Sequence, residues 1–336
     1  MWFPYETLLA AGARASEWWG FSTPTTLADA HYPPYVCTLV KTNFEALLGG
    51  GATPDGMVFP SVTCDSIQNS AGLYRRLFPR KFSAYFRMSQ NPDSAAAADF
   101  VRDEIRRVVA QARAAFGKPL SNDDLHEAIA SVNVHRRAAR RLLDKLAAGK
   151  PSVPASQIYT ALKGSLADIG RASAKLLDEF TDSIAVAPRQ GRAIMLVGMV
   201  ADPVGGLDVI ERAGACIAGD DLGLGWRTMA VDAAETGDPI DALAHRLLSA
   251  PACSSLHQAT KPRADAVVAR AKAVGAGAVI FTRLKFCDPE AFDYPNIKKA
   301  LDGAGLPSLL VERELTTAAA DGAISTRLEA FIEQLG

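Results

Sequence analysis

The chain has 336 residues with a formal net charge of −1, 22% charged residues and 49% hydrophobic ones. That length suits two domains with connecting helices better than one core, and the near-neutral charge gives no reason to expect a nucleic-acid or anionic-membrane partner. Its longest apolar stretches, such as Ala193 to Ala201, are too short to span a bilayer, and Met1-Trp2-Phe3-Pro4-Tyr5 lacks the basic and apolar regions of a secretory signal, so a cytoplasmic location is expected.

The first part mixes short apolar runs with Gly, Pro and aromatic residues. Gly56 to Pro60 reads as a buried strand, Ser66 to Phe78 as a helix closed by Pro79, and Lys81 to Met88 as a second strand. Asp93-Ser94 then reads as the N-cap of a helix over Ala95 to Phe116, broken by Gly117-Lys118-Pro119. Ser121-Asn122-Asp123-Asp124 caps a longer helix with Leu125, Ile129, Val132, Ala139, Leu142 and Leu143 on one face. The pairs Arg136-Arg137 and Arg140-Arg141 fall mainly on the other, which favours a solvated face over a phosphate or partner site. One or two further helices fit between Pro154 and Phe180.

From there an α/β rhythm sets in. Strands are expected at Arg192 to Val200, Ala215 to Ala218, Ala278 to Thr282 and Ser308 to Val311. Helices are expected at Gly205 to Arg212, Pro239 to Leu248, Arg263 to Val274, Ile297 to Asp302 and Ile324 to Leu335. Such alternation argues for a parallel sheet covered on both faces, with ligands beyond the carboxyl ends of its strands. The expected fold is α/β, with two doubly wound parallel-sheet (Rossmann or flavodoxin-like) lobes at 1–95 and 186–336 and a helical section at 96–185 between them.

Chemistry-bearing motifs are few. No GxxxxGK[ST], HExxH or CxxC occurs, so no ATP site of the P-loop kind is expected on this chain, and Gly219 to Gly225 does not match GxGxxG in register. Five cysteines, an odd number without regular spacing, do not form a disulfide framework. Cys64 follows a strand and begins a helix, and Cys287 sits the same way after Ala278 to Thr282. Each is followed by Asp. Cys37 stands just before a helix-like segment running through Phe44. Amides at a helix N-terminus stabilise a thiolate and can donate to cluster sulfides. A lone cysteine is more often a small buried hydrophobe, but three in matching settings favour a ligand set. Cys216, inside a strand, reads as packing. Cys253, near His257, reads as bland rather than as an extra ligand or redox partner. His126 and His135 read as surface or interface groups, and His31, close to Cys37 in a Pro-rich aromatic loop, as a weak candidate for the active site.

At these motifs the chain resembles the 2-hydroxyacyl-CoA dehydratase and benzoyl-CoA reductase family. The resemblance runs through Pro4-Tyr5-Glu6 with Leu8 to Ala13, Tyr35-Val36-Cys37, Asp55 to Pro60 with Cys64-Asp65-Ser66, Lys285 to Pro289, and Thr326 to Glu333. It implies a 4Fe–4S cluster held by Cys37, Cys64 and Cys287, and a homologous second subunit forming a heterodimer. It further implies a separate cluster-bearing ATPase activator and an acyl-CoA substrate reduced by one electron. Asp220-Asp221 with Gly225 and Arg227 also resembles a family segment, where Asp220 and Arg227 are expected to form at most a buried pair. Family members usually carry a longer segment before the Pro4-Tyr5-Glu6 motif, so the first lobe is expected to be incomplete or completed by a partner. Phe59-Pro60-Ser61 and Phe82 to Arg87 resemble the aromatic reductases, so a benzoyl-CoA reductase-type complex is expected. The alternatives are a 2-hydroxyacyl-CoA dehydratase, a non-catalytic cluster-bearing subunit, or a cluster-free binding module.

Overall fold

The computed structural model describes residues 2–51, 53–61, 64–117, 120–201, 205–256, 262–316 and 322–336. The readings on Lys118-Pro119 and His257 lie outside them.

A short helix, α1 (Glu6–Ala10), leads to α2 (Thr38–Leu48), β1 (Gly56–Pro60), α3 (Asp65–Leu77) and β2 (Phe82–Phe86). β1 and β2 are parallel, with α3 as their crossover. Among the described residues this first part shows two strands rather than a full doubly wound sheet. Two strands bury too little by themselves, and they gain cover from α3 and from α4 (Ala97–Phe116). The Asp93-Ser94 cap is not formed: the residue before α4 is Ala96, without a side-chain cap. At the other end Gly117 takes the left-handed conformation (φ 71°) and closes the helix.

Next comes α5 (Asn122–Ala148), about 40 Å long at 1.5 Å per residue. It starts with the capping box that the sequence promises: the Ser121 hydroxyl accepts from the Asp124 amide and the Asp124 carboxylate accepts from the Ser121 amide. Its apolar stripe is buried as expected. The arginine face is not uniform. Arg137 and Arg141 are half exposed and meet Asp232, Glu235, Asp178 and Asp182. Arg136, by contrast, is 1% exposed and donates to Glu6 of α1 at 2.6 Å. His135 is buried too, 3.0 Å from the Ser165 hydroxyl, which corrects the surface reading. α1 packs on α5 and covers Arg136, while His135, one 100° step further round, is covered where it meets Ser165 at the end of α6.

A two-residue antiparallel pair, β3 (Lys150–Pro151) with β4 (Val186–Ala187), brackets α6 (Ala155–Ser165) and α7 (Arg171–Ser183). The last part is a four-stranded parallel sheet built from β5 (Arg192–Gly198), β6 (Ala215–Leu222), β7 (Ala278–Leu284) and β8 (Ser308–Arg313), in the order β6-β5-β7-β8. Helices α8 (Gly205–Arg212), α9 (Pro239–Leu248), α10 (Arg263–Ala273), α11 (Asp288–Gly303) and α12 (Gly322–Gln334) complete the chain. Both faces of the sheet are covered. Met195, Val197, Val279 and Phe281 pack with Val267, Ala271, Ile297 and Leu301 of α10 and α11. Ile194, Leu196, Ile280 and Val311 share a second cluster with Leu207, Ile210, Leu328 and Ile332 of α8 and α12. Alternate residues of β5 serve opposite faces, which is why the strand reads as a continuous apolar run.

This order places the first strand, β5, inside the sheet. The chain leaves it toward β6 on one side and later returns as β7 on the other, so a crevice opens where the carboxyl ends of β5 and β7 part. Gly198 ends β5 there at φ 146°, and a Cβ would collide with the Thr282 carbonyl oxygen, so only glycine lets the strands stay paired. Residues 284–287 emerge at this crevice, and Phe286 is the only non-glycine residue with positive φ (63°) among those described.

Candidate functional site

Each of Cys37, Cys64 and Cys287 is the residue immediately before a helix: α2, α3 and α11 respectively. Two strand-to-helix loops were legible in the sequence, and so was the helix after Cys37, which the structure shows running from Thr38 to Leu48. The expected helix at Ile297 to Asp302 extends back to Asp288, with Pro295 inside it. Proline read as a breaker hides that first half. Through this extension Cys287 comes to lie at a helix N-terminus.

The three cysteines line one cavity of about 1240 Å³. Its walls carry Trp19, Phe44, Met57 and Phe59, with Phe286 and the largely exposed Phe292 also lining it. The thiols act on one another electrostatically, Cys287 with both Cys37 and Cys64 and Cys37 with Cys64. Burial pushes the Cys37 thiol up to about 12, against the helix-start amides of Leu39 and Val40, which favour the thiolate. Burial also raises Cys64, opposed by the amides of Ile67 and Ser66, and carries Cys287 well above the usual thiol range. Without a compensating cation these groups are neutral thiols. A bound metal centre would turn them into thiolates, with three helix N-termini supporting the negative charge.

Among the described residues no three His, Cys, Asp or Glu side chains close on a single metal ion. A 4Fe–4S cluster makes a different demand, because each thiolate binds a different iron. Three thiols from separate helix starts, lining one roomy cavity, fit that demand.

Beside the thiols lies a buried charged group. Asp220 and Asp221 are adjacent in β6 and so point to opposite faces of the sheet. Asp220 accepts from the Tyr159 hydroxyl at 2.9 Å and from the amides of Leu222 and Trp226 at 3.0 and 2.8 Å. Burial raises its carboxyl in spite of these donors. Gly225 permits the arrangement, since a Cβ there would strike the Asp220 carboxylate. The expected pair is therefore shifted by one residue: Arg227 lies 3.4 Å from Asp221, not Asp220, and Arg263 lies 2.6 Å from Asp221. Burial works to raise the Asp221 carboxyl, but Arg263 and Arg227 outweigh it and hold it below the usual range. Arg227 also donates to the Gly198 carbonyl at 2.6 Å, tying the turn after β6 to the crevice.

Glu290, in the first turn of α11, lines the cavity and is 1% exposed. Burial pushes its carboxyl up to about 7, against the attraction of Arg227 and Arg263. Sequence reading stopped one residue short of it, at Pro289. Its signal was the acidic residue one helical turn after Cys287. Asp221 was marked only as part of the family-like segment and not as the partner of Arg227, and Arg263 was missed because nothing in its local sequence marks it as buried.

The other candidates fall away from the cavity. His31 is exposed and does not line it. Cys216 is buried in β6 with its sulfur 3.6 Å from the Arg192 carbonyl. Cys253 is buried next to Ser254 and Ser255, which do line the cavity, and its sulfur lies 3.3 Å from the Ser255 hydroxyl. No described helix is long and apolar enough to cross a membrane.

Comparison with known proteins places the chain in a family. Residues 1–335 match the model of the family described as 2-hydroxyglutaryl-CoA dehydratase, D-component. The beta subunit of (R)-phenyllactyl-CoA dehydratase from Clostridium sporogenes is 27% identical over 100% of this chain and 90% of its own length. The beta subunit of (R)-2-hydroxyglutaryl-CoA dehydratase from Acidaminococcus fermentans is 30% identical over 99% of this chain and 90% of its own. One of the subunits of benzoyl-CoA reductase from Thauera aromatica is 23% identical over 80% of this chain and 71% of its own. The lean toward the aromatic reductases is corrected by these figures, since the dehydratase subunits match more of the chain at higher identity. A short phrase such as Phe59-Pro60-Ser61 records strand packing and carries little about the substrate. By the match across its whole length, the chain belongs to the 2-hydroxyglutaryl-CoA dehydratase D-component family.

Proposed function

We propose that this chain is the iron–sulfur subunit of a 2-hydroxyacyl-CoA dehydratase, with Cys37, Cys64 and Cys287 as the cluster's thiolate ligands. One observation carries the reading: three helix N-termini, each headed by a cysteine, surround a single cavity at the crevice of the sheet. When bound, the cluster would supply one-electron reduction of the thioester.

The chain's own residues prepare the site. The three cysteines would hold the cluster, and they come from both the β1–β2 region and the end of the four-stranded sheet. Trp19, Phe44 and Phe59 give the cavity apolar walls. The helix-start amides at Leu39, Val40, Ser66 and Ile67 hold negative charge on sulfur. Arg227 and Arg263, anchored by Asp221, place positive charge behind the cavity.

The relatives are named as beta subunits, so a second subunit belongs to this reading. A separate ATP-hydrolysing activator, implied by the family resemblance, also belongs to this reading, and this chain has no GxxxxGK[ST] motif of its own. The division into parts at 1–95, 96–185 and 186–336 belongs to the same proposal.

The test is reconstitution of the chain with its second subunit and an ATP-hydrolysing activator, followed by parallel assays with 2-hydroxyacyl-CoA thioesters and benzoyl-CoA. Water elimination from a hydroxyacyl thioester is the expected result. Reduction of benzoyl-CoA with no turnover of any hydroxyacyl thioester would overturn the assignment.

A further inference from the structure

Three thiolates leave one iron of a 4Fe–4S cluster without a cysteine. The group best placed to meet it is Glu290. Its carboxylate lines the same cavity as the three thiols and is almost fully buried, yet neither oxygen has a hydrogen-bond partner of ordinary geometry among the described residues. The Cys287 thiol beside it lends some support, and that donor is lost once the sulfur binds iron. An ionised carboxylate left in that state is costly, which marks it as a group waiting for a cation or a donor. Its charge acts on Cys37 as well as on its own neighbour Cys287, which places it close to two of the ligands.

The groups behind it supply charge without supplying a partner. Arg227 and Arg263 lie near enough to favour its ionised form, but their ion pairs are with Asp221. Two guanidinium groups against one aspartate leave a surplus positive charge, which balances one further anion at this place. Oxygen from a carboxylate is an acceptable ligand for iron.

We infer that Glu290 is the fourth protein ligand of the cluster, its carboxylate binding the iron that Cys37, Cys64 and Cys287 leave free. This rests on the cluster reading above. Glu290 reaches the site because α11 starts at Asp288: Cys287 before the helix and Glu290 in its first turn flank the same helix end. The competing arrangement is a turn of the Glu290 side chain toward Arg227 and Arg263, where it would complete an ion-pair group and never touch iron.

The experiment uses the full chain, purified anaerobically and loaded with iron-57 and sulfide, as wild type, Glu290→Gln and Glu290→Cys. Mössbauer spectra read the unique iron, and controlled oxidation followed by EPR reads how fast a three-iron cluster forms. With Glu290 as ligand, Glu290→Gln alters the unique-iron signal and loses that iron about ten-fold faster or more. Glu290→Cys makes the four irons alike and slows the loss. If the wild type carries its cluster and Glu290→Gln leaves both the unique-iron signal and the rate of loss unchanged, Glu290 is not a ligand and the cluster reading stands. If the wild type binds no cluster at all, the reading beneath this inference falls with it.

Discussion

Changing Glu6 to Gln removes the carboxylate on which a buried guanidinium depends. Glu6 and Arg136 are 0% and 1% exposed, with Arg136 Nη2 at 2.6 Å from Glu6 Oε1. Arg136 also donates to the Asn133 side chain at 2.9 Å, and Asn133 in turn exchanges hydrogen bonds with the backbone of Ala233. Arg246 is close by: burial first, then the Arg136 charge, lowers it to about 10, with Glu6 opposing. Losing Glu6 thus leaves two buried cations facing each other. Removal of one partner from a buried pair costs about 3–5 kcal/mol, and both pair members are sealed from solvent, so little of that is screened. Urea unfolding followed by circular dichroism is expected to show a loss of this size for Glu6→Gln. The double variant Glu6→Gln with Arg136→Met should recover much of it, because an apolar side chain needs no partner. A single-variant loss below about 1 kcal/mol would refute the claim that this pair holds α1 to α5.

Further outcomes follow from the same structure. His135 is lowered to about 4, by burial first and the Arg136 charge second. Above its ordinary value near 6.5 it is neutral in both states; as pH falls from there to about 4, only the unfolded chain takes up a proton, so stability should drop by about 3 kcal/mol over that window, and His135→Gln should flatten the slope. Tyr159→Phe takes one of three donors from the buried Asp220 carboxylate and should cost about 1–2 kcal/mol in unfolding free energy. Asp221→Asn leaves Arg227 and Arg263 without their anion and should cost about 3–5 kcal/mol, measured by urea unfolding. Phe286→Val places a β-branched residue at φ 63° and should destabilise the chain, whereas Phe286→Gly is expected to be tolerated; equal effects would deny the strain.

Elements with strong periodicity or clear punctuation were legible in the sequence. α9 begins at Pro239 behind Asp238, whose side chain accepts from the Asp241 amide, and α5 begins at its capping box. The readings failed where tertiary contacts override local pattern. β6 runs on through Asp220 and Asp221, because Tyr159 and the arginines satisfy charges that alone would end a strand. Arg136 and His135 looked solvated because their partners, Glu6 of α1 and Ser165 of α6, lie far away in sequence. α11 was cut short at Pro295, and with it the helix turn carrying Glu290. For the site, the three cysteines were legible by their loop settings. The charged group behind them was not, since Asp221, Arg227, Arg263 and Glu290 come from β6, the turn after it, and the starts of α10 and α11.

The most direct measurement is the iron and acid-labile sulfide content of the chain purified without oxygen, with EPR of the reduced protein, in wild type and Cys64→Ser. The wild type is expected to carry about four irons and four sulfides per chain and to show a cluster signal, and Cys64→Ser to lose most of both. A wild-type chain that is folded and free of iron, with Cys64→Ser indistinguishable from it, would contradict the assignment of Cys37, Cys64 and Cys287 as cluster ligands.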